Sequence, residues 1–217
     1  MQFFAPRANT ISRLVLVGIA GVPVAFVVFL CVLTYTPYVT RRNIVVYQPL
    51  PFSHEHHSGQ LGLDCRYCHT AVENSSYAGM PDTETCMTCH SQVWTNAPML
   101  APVRESLASG HPLHWNRVNR LPGYVYFDHS IHVAKGVGCS TCHGDVDRMP
   151  LLRQAAPLTM GWCISCHRDP AQELRPASEI FDMQWTVPPD QARRGAELVK
   201  NYHIQTAHLT DCSVCHR

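Results

Sequence analysis

Cys65-Arg66-Tyr67-Cys68-His69 opens a series that decides the reading of this chain. The same spacing returns at Cys86-Met87-Thr88-Cys89-His90, Cys139-Ser140-Thr141-Cys142-His143, Cys163-Ile164-Ser165-Cys166-His167 and Cys212-Ser213-Val214-Cys215-His216. The five copies use ten of the eleven cysteines and leave only Cys31 outside the pattern. On one helical turn, positions i and i+3 share a face and i+4 projects just above them. Two thiols so placed can add to the two vinyl groups of one haem while the following His reaches its iron. Zinc sites, redox dithiols and disulfides also use Cys-x-x-Cys, but none needs a His directly after every second Cys. The spacing predicts five covalently bound haem c groups. Their thioether links would be the ten motif cysteines, and their proximal iron ligands His69, His90, His143, His167 and His216.

The composition agrees with that reading. Eleven Cys and fourteen His occupy 25 of 217 positions, and a disulfide scaffold would explain the Cys but not the His. Charged residues are 15% with a formal net charge of +1, and no basic block stands out. A nucleic-acid binder and a charged disordered chain are both excluded on those grounds. Along the chain the charge is uneven. Residues 1–42 hold Arg7, Arg13, Arg41 and Arg42 and no acid, so the other thirteen of seventeen bases stand against all sixteen acids.

From Leu14 to Thr40 there is no charged residue, and a span of about 20 apolar residues crosses the hydrocarbon layer as a helix. Tyr35 and Tyr38 sit where an aromatic belt would, with Arg13 and Arg41–Arg42 bracketing the span. Pro23 within it is tolerated in membrane helices. A cleaved signal peptide would carry a shorter apolar region and a small-x-small cleavage site, which this stretch lacks. The expected layout is a cytoplasmic N-terminus at 1–13, a transmembrane anchor at 14–40 and a stalk at 41–51. A first haem module with two haems follows at 52–93, then a Pro-rich connector at 94–122, then a second module and C-terminal arm with three haems at 123–217. Covalent haem attachment takes place outside the cytoplasm, so the chain is expected to be a single-pass protein of the cell membrane with its haem part on the periplasmic side.

Nine His remain after the proximal five. Phe52-Ser53-His54-Glu55-His56-His57 precedes the first motif and Phe127-Asp128-His129-Ser130-Ile131-His132 the third. Both read Phe-x-His-x-x-His, and each is followed by two haem motifs, so one structural module is used twice. About 175 residues for five haems cannot build a separate core; the porphyrins must supply it. The expected fold is mainly irregular, with short α-helices around the haems and very little sheet. No Cys-x-x-Cys-Lys variant, Ser/His/Asp set or paired carboxylates accompany the motifs, so no independent active site is expected.

These features resemble the small multihaem cytochromes of the c3 and c7 type. The resemblance implies c7-like modules in which the first His of Phe-x-His-x-x-His is the distal ligand of the following haem and the second serves a neighbouring haem. Carried over, His54 serves the haem at Cys65/Cys68, His129 the haem at Cys139/Cys142, and His57 and His132 serve neighbours. His56 is out of register. The fifth distal ligand stays open among His203 and His208, near the end of a helix expected over Gln191–Asn201 with Asp190 as N-cap, and Met149 and Met160, which flank the fourth motif. A Met ligand would raise the haem potential relative to a second imidazole. His111 and His114 fall in the connector.

A narrower resemblance rests on Gln48-Pro-Leu-Pro-Phe-Ser-His54, Ala101-Pro-Val-Arg-Glu-Ser106, Gly161-Trp-Cys-Ile-Ser-Cys-His167 and Leu209-Thr-Asp-Cys212 together with the motifs. It is to the pentahaem cytochrome c subunit of alternative complex III, a bacterial quinol oxidoreductase. That resemblance implies an electron-relay component of a quinol:acceptor oxidoreductase in a respiratory or photosynthetic chain. Its partners would be integral membrane quinol-oxidising subunits, a large iron–sulfur subunit, other cytochrome c subunits, and a soluble or membrane-bound acceptor or terminal oxidase. Asn119 departs from that family, where His is more usual; if that His serves a haem in relatives, another residue must do its work here. The competing readings are a NapC/NrfH-type quinol dehydrogenase, which has fewer haems, and a multihaem reductase such as nitrite reductase, which needs an open iron.

Overall fold

The computed structural model describes residues 5 and 7–216, and the chain divides into two units at Arg41/Arg42. The first unit is built on α1 (Ala8–Thr34), a 27-residue helix with Pro23 inside it and no buried side chain. It is long and apolar enough to cross a membrane, the property shared by an anchor and an N-terminal signal sequence. The expected 1–13 tail lies partly outside the described residues. The helix stops six residues short of Thr40 because Thr36 turns extended (φ −73°, ψ 155°) ahead of Pro37, as a residue before proline must.

The second unit is irregular chain punctuated by short helices. These are α2 (Cys65–Cys68), α3 (Thr83–His90), α4 (Ala101–Ser109), α5 (His129–Ala134), α6 (Cys139–His143), α7 (Met160–Arg168), α8 (Gln191–Asn201) and α9 (Cys212–Cys215). Among the described residues there is no strand, only the isolated bridges Val45–Arg153, Val125–His216 and Val137–Leu174. Four of the helices start where a side chain can accept an orphan backbone N–H. Asp64 accepts from Arg66, Asp82 from Thr85, Asp128 from Ile131 and Thr159 from Trp162. The helix expected over Gln191–Asn201 is present as α8. Asp190, however, directs its carboxylate to the Arg193 and Arg194 side chains instead of to the backbone.

Apolar packing is thin. Leu50, Leu100 and Val103 form a small cluster with Cys86, Met87 and Trp115 against it, and among the described residues only Leu174 and Val103 are nearly sealed from solvent. The chain leaves 14904 Å² accessible, against roughly 10,000 Å² for a compact protein of its mass. Some of that excess is the bare helix α1, none of whose side chains is buried.

Close backbone approaches fix the C-terminal arm. Gly195 of α8 lies directly on the Ala171 carbonyl, where a Cβ would collide, and Gln191 Nε2 donates to Ala171 O and Leu174 O at 2.8 and 2.9 Å. Arg175, 6% exposed, donates to Ser140 Oγ (2.6 Å) inside the third motif and to Asp182 O (3.1 Å). Tyr202 Oη returns to Arg175 O at 2.9 Å. The arm therefore grips the third motif before it reaches the fifth.

Candidate haem centre

The repeat seen in the sequence is a repeat in space. Phe52 meets His54 edge-on (4.9 Å, 88°) and stacks on His57 (4.4 Å, 23°). Phe127 meets His129 edge-on (4.8 Å, 89°) and stacks on His132 (4.4 Å, 28°). The two modules reach this arrangement by different backbones, a π-helical turn over Glu55–Gln60 in the first and α5 in the second. A π turn inserts an extra residue and is often found at functional sites. In both, the second His bonds the carbonyl four residues back: His57 Nδ1 to Ser53 O (2.8 Å) and His132 Nδ1 to Asp128 O (2.6 Å).

Three of these four His rings then face a motif His. Ring centres are 6.2 Å apart for His57 and His90, 6.4 Å for His129 and His143, and 6.1 Å for His132 and His167. An iron held by two imidazoles, at about 2 Å per bond with about 1 Å from each nitrogen to its ring centre, requires roughly that gap. The interplanar angles are 64°, 5° and 34° in the same order. His54 lies among His69, His57 and His143, and burial first, with those neighbours second, pushes its pKa down to about 4. Desolvation, then His129 and His69, does the same to His143, also to about 4. Both rings are held neutral, the form that offers a lone pair to a metal.

The tautomers fit as well. Besides His57 and His132, Nδ1 faces a backbone carbonyl in His69 (Gly79 O, 2.8 Å), His90 (Val93 O, 3.2 Å), His129 (Ser76 O, 2.8 Å), His167 (Leu209 O, 2.8 Å) and His216 (Tyr124 O, 3.1 Å). A proton committed at Nδ1 leaves Nε2 free for iron, the usual outer support of a ligating His. His56 bonds the Gln60 side chain instead, and His208 pairs with Asp211 at 3.1 Å.

The cysteines speak against a bare zinc site. Among the described residues all eleven are free, and no three or more His, Cys, Asp or Glu converge on one point. Burial pushes the Cys142 thiol up to about 12 and the Cys166 thiol up to about 11. Thiol neighbours also reveal how the motifs are strung. Burial first, and the neighbouring Cys86 second, raises the Cys68 thiol, and Tyr67 Oη meets Thr88 Oγ1 at 2.8 Å. Cys65 neighbours Cys139; Cys163 and Cys166 neighbour Cys142; Cys215 neighbours Cys163. In space the order is second, first, third, fourth, fifth.

The residues considered for the fifth distal position scatter. Met149 is 3% exposed, with its methyl beside Gly144 at the third motif. Met160 is 63% exposed at the first residue of α7, one turn ahead of Cys163. His203 sits in a left-handed turn (φ 53°) past α8. The ring found against His216 is Tyr124 (5.8 Å).

Asn119 was beyond sequence reasoning except as a departure. Its amide lies against His143 Nδ1, 3.0 Å away. No local pattern marks a contact across 24 residues.

Residues 125–217 match the family described as cytochrome c7 and related cytochrome c. That stretch holds the last three motifs. Over 170 residues the chain is 30% identical to the menaquinone reductase multihaem cytochrome c subunit of Nitratidesulfovibrio vulgaris, covering 78% of this chain and 67% of that subunit. With paired imidazoles at haem spacing and likeness of that extent, the chain belongs to this family of multihaem cytochrome c subunits, whose members carry covalently bound haem c.

Proposed function

We propose that this chain is the membrane-anchored pentahaem relay subunit of a quinol:acceptor oxidoreductase of the alternative complex III kind. The observation that carries the reading is the repeated module: two Phe-His-His clusters that present imidazoles to motif His rings at 6.1–6.4 Å. Bound haem c supplies one-electron chemistry. The chain's residues hold, orient and insulate it. The five motif cysteine pairs are the thioether anchors, and the five following His the proximal ligands. His54, His57, His129 and His132 are the distal ligands of the first, second, third and fourth sites. Phe52 and Phe127 lock two imidazoles each, so neither ring can swing away from its iron.

The second and fifth motifs end the string, which makes them the terminals through which electrons enter and leave. Dense haem packing and full His ligation suit relay over catalysis, since a catalytic iron keeps an open position. The relative named for menaquinone reductase supports a quinone-linked complex. Residues 1–13 then lie in the cytoplasm, α1 spans the bilayer, and the haem part faces the periplasm. Its partners are integral membrane quinol-oxidising subunits, a large iron–sulfur subunit, other cytochrome c subunits, and a soluble or membrane-bound acceptor or terminal oxidase.

Gentle detergent purification tests this. The chain is expected to carry five haem additions by mass, to co-purify with multi-span membrane proteins and an iron–sulfur partner, and to become reduced when menaquinol is added. A mass with fewer haems, or isolation as a lone chain, contradicts the proposal.

Met160 is the fifth distal ligand on this reading. It stands exposed on the face of α7 that carries Cys163, whose neighbour is Cys215 of the fifth motif. Met149 is packed at the third motif, and His208 is engaged by Asp211. The oxidised protein should show a sulfur-to-iron charge-transfer band at the red edge of its spectrum. Met160→Leu should abolish it and leave one high-spin haem in five. A band that survives the substitution assigns the ligand elsewhere.

A further inference from the structure

Eight of the nine His rings proposed above as iron ligands have a partner at Nδ1. Seven meet backbone carbonyls, which point mutation cannot remove. His143 is different. It meets the side-chain amide of Asn119, Nδ2 at 3.0 Å. A ring that binds iron through Nε2 keeps its proton on Nδ1, so it cannot accept from an amide N–H; two donors would face each other. At the same amide, Asn119 Oδ1 is buried and has no hydrogen-bond partner. The two misfits have one remedy. Amide nitrogen and oxygen are nearly alike in shape, and the hydrogen-bond network decides which is which. Exchanging them brings the amide oxygen to His143, where it accepts from the Nδ1–H, and moves the NH2 to the other amide position.

We propose that Asn119 is a positioning residue for the third haem: its side-chain oxygen accepts the Nδ1–H of His143 and tunes that site's reduction potential independently of the other four. This rests on the five-haem reading. A stronger acceptor at Nδ1 makes the imidazole more basic and favours the ferric iron; removing the acceptor does the reverse. The neighbouring distal ring His129 is held by Ser76 O, a backbone group, so the third iron has one adjustable support and one fixed one. The parallel His129 and His143 planes (5°) depend on both.

The test uses the full-length detergent-solubilised protein. Haem content is measured first by mass, then each variant is titrated potentiometrically with optical and EPR detection. Asn119→Asp should shift one haem's reduction equilibrium about tenfold toward the oxidised state, about 59 mV for one electron. Asn119→Leu should shift the same haem the other way, and the other four should move far less. Shifts of the same sign in both variants, or a shift spread evenly over all haems, overturn the proposal. Where a variant fails to load its third haem, histidine-labelled wild-type protein decides: the His143 Nδ1–H should be protected from solvent exchange. Rapid exchange at that proton overturns the assignment. Fewer than five haems in the wild type would instead sink the underlying reading.

Discussion

With all ten motif cysteines changed to serine, residues beyond Arg42 will not hold their fold. Amide protection across the second unit should collapse, and proteases should cut between the motifs, while α1 stays helical in detergent. The reason is the shortage of protein core. Among the described residues nine hydrophobic ones are buried, scattered from Leu50 to Ile180, and just two fall below 2% exposure. Ordering each residue's backbone costs roughly 1–2 kcal/mol, and small satellite clusters of this kind cannot offset that over the whole unit. The short helices add little, since isolated helices under about 12 residues are marginal in water; α2 and α9 have four each. What remains is the cofactor, whose apolar faces would supply the core that the chain lacks. Hydrogen exchange with mass spectrometry on the serine variant reads the outcome directly. Native-like protection in residues 43–216 would show that the polypeptide carries its own core and would undo the account. Removing a single pair, Cys86 and Cys89, should loosen the region around α3 and α4 and leave the arm intact, because Leu174, Gln191 and Gly195 lock it to the Pro170–Gln172 turn.

Much of the site could be read from the chain because its chemistry is local. A Cys-x-x-Cys-His motif carries its thiols and its imidazole on one helical turn, so each attachment point is complete within five residues. The Phe-x-His-x-x-His pair is nearly as compact, and its ring packing agrees between modules to within 0.1 Å. Other features depend on contacts far apart in sequence. Nothing near Gly59 shows that it lies against the Asp147 carbonyl, or that this contact helps hold the π turn of the first module in place. The order of the motifs in space is of the same kind. Cys65 neighbours Cys139 across more than seventy positions, and the second motif ends up at the far end of the string rather than between the first and third. Asn119 belongs here too: it lies between Val118 and Arg120 in sequence, and its contact with His143 spans 24 residues.

Exchange of ligands between motifs makes the sharpest test of the pairing. His57 lies eight residues before Cys65, yet its ring faces His90, at 6.2 Å and 64°. His57→Gly should therefore convert one haem in five to a high-spin form that added imidazole returns to low spin. By sequence distance that haem would be the first; by the geometry it is the second. The two possibilities separate in a background where Cys86 and Cys89 are serine, so that the second haem is absent. There His57→Gly should add no high-spin signal at all, since the ring has no iron left to leave. His54→Gly should still add one, because its neighbour is His69. This is a double-mutant cycle with an all-or-none readout, and it does not depend on partitioning small energies. The second module supplies the replicate: His132→Gly should be silent once Cys163 and Cys166 are removed, as His132 faces His167 at 6.1 Å. A high-spin signal that persists in either background would mean that the second His of the repeat binds its own module's first haem. Two modules folded to the same Phe-His-His geometry should fail or succeed together, and that shared outcome separates a designed crossover from an accident of packing in one of them.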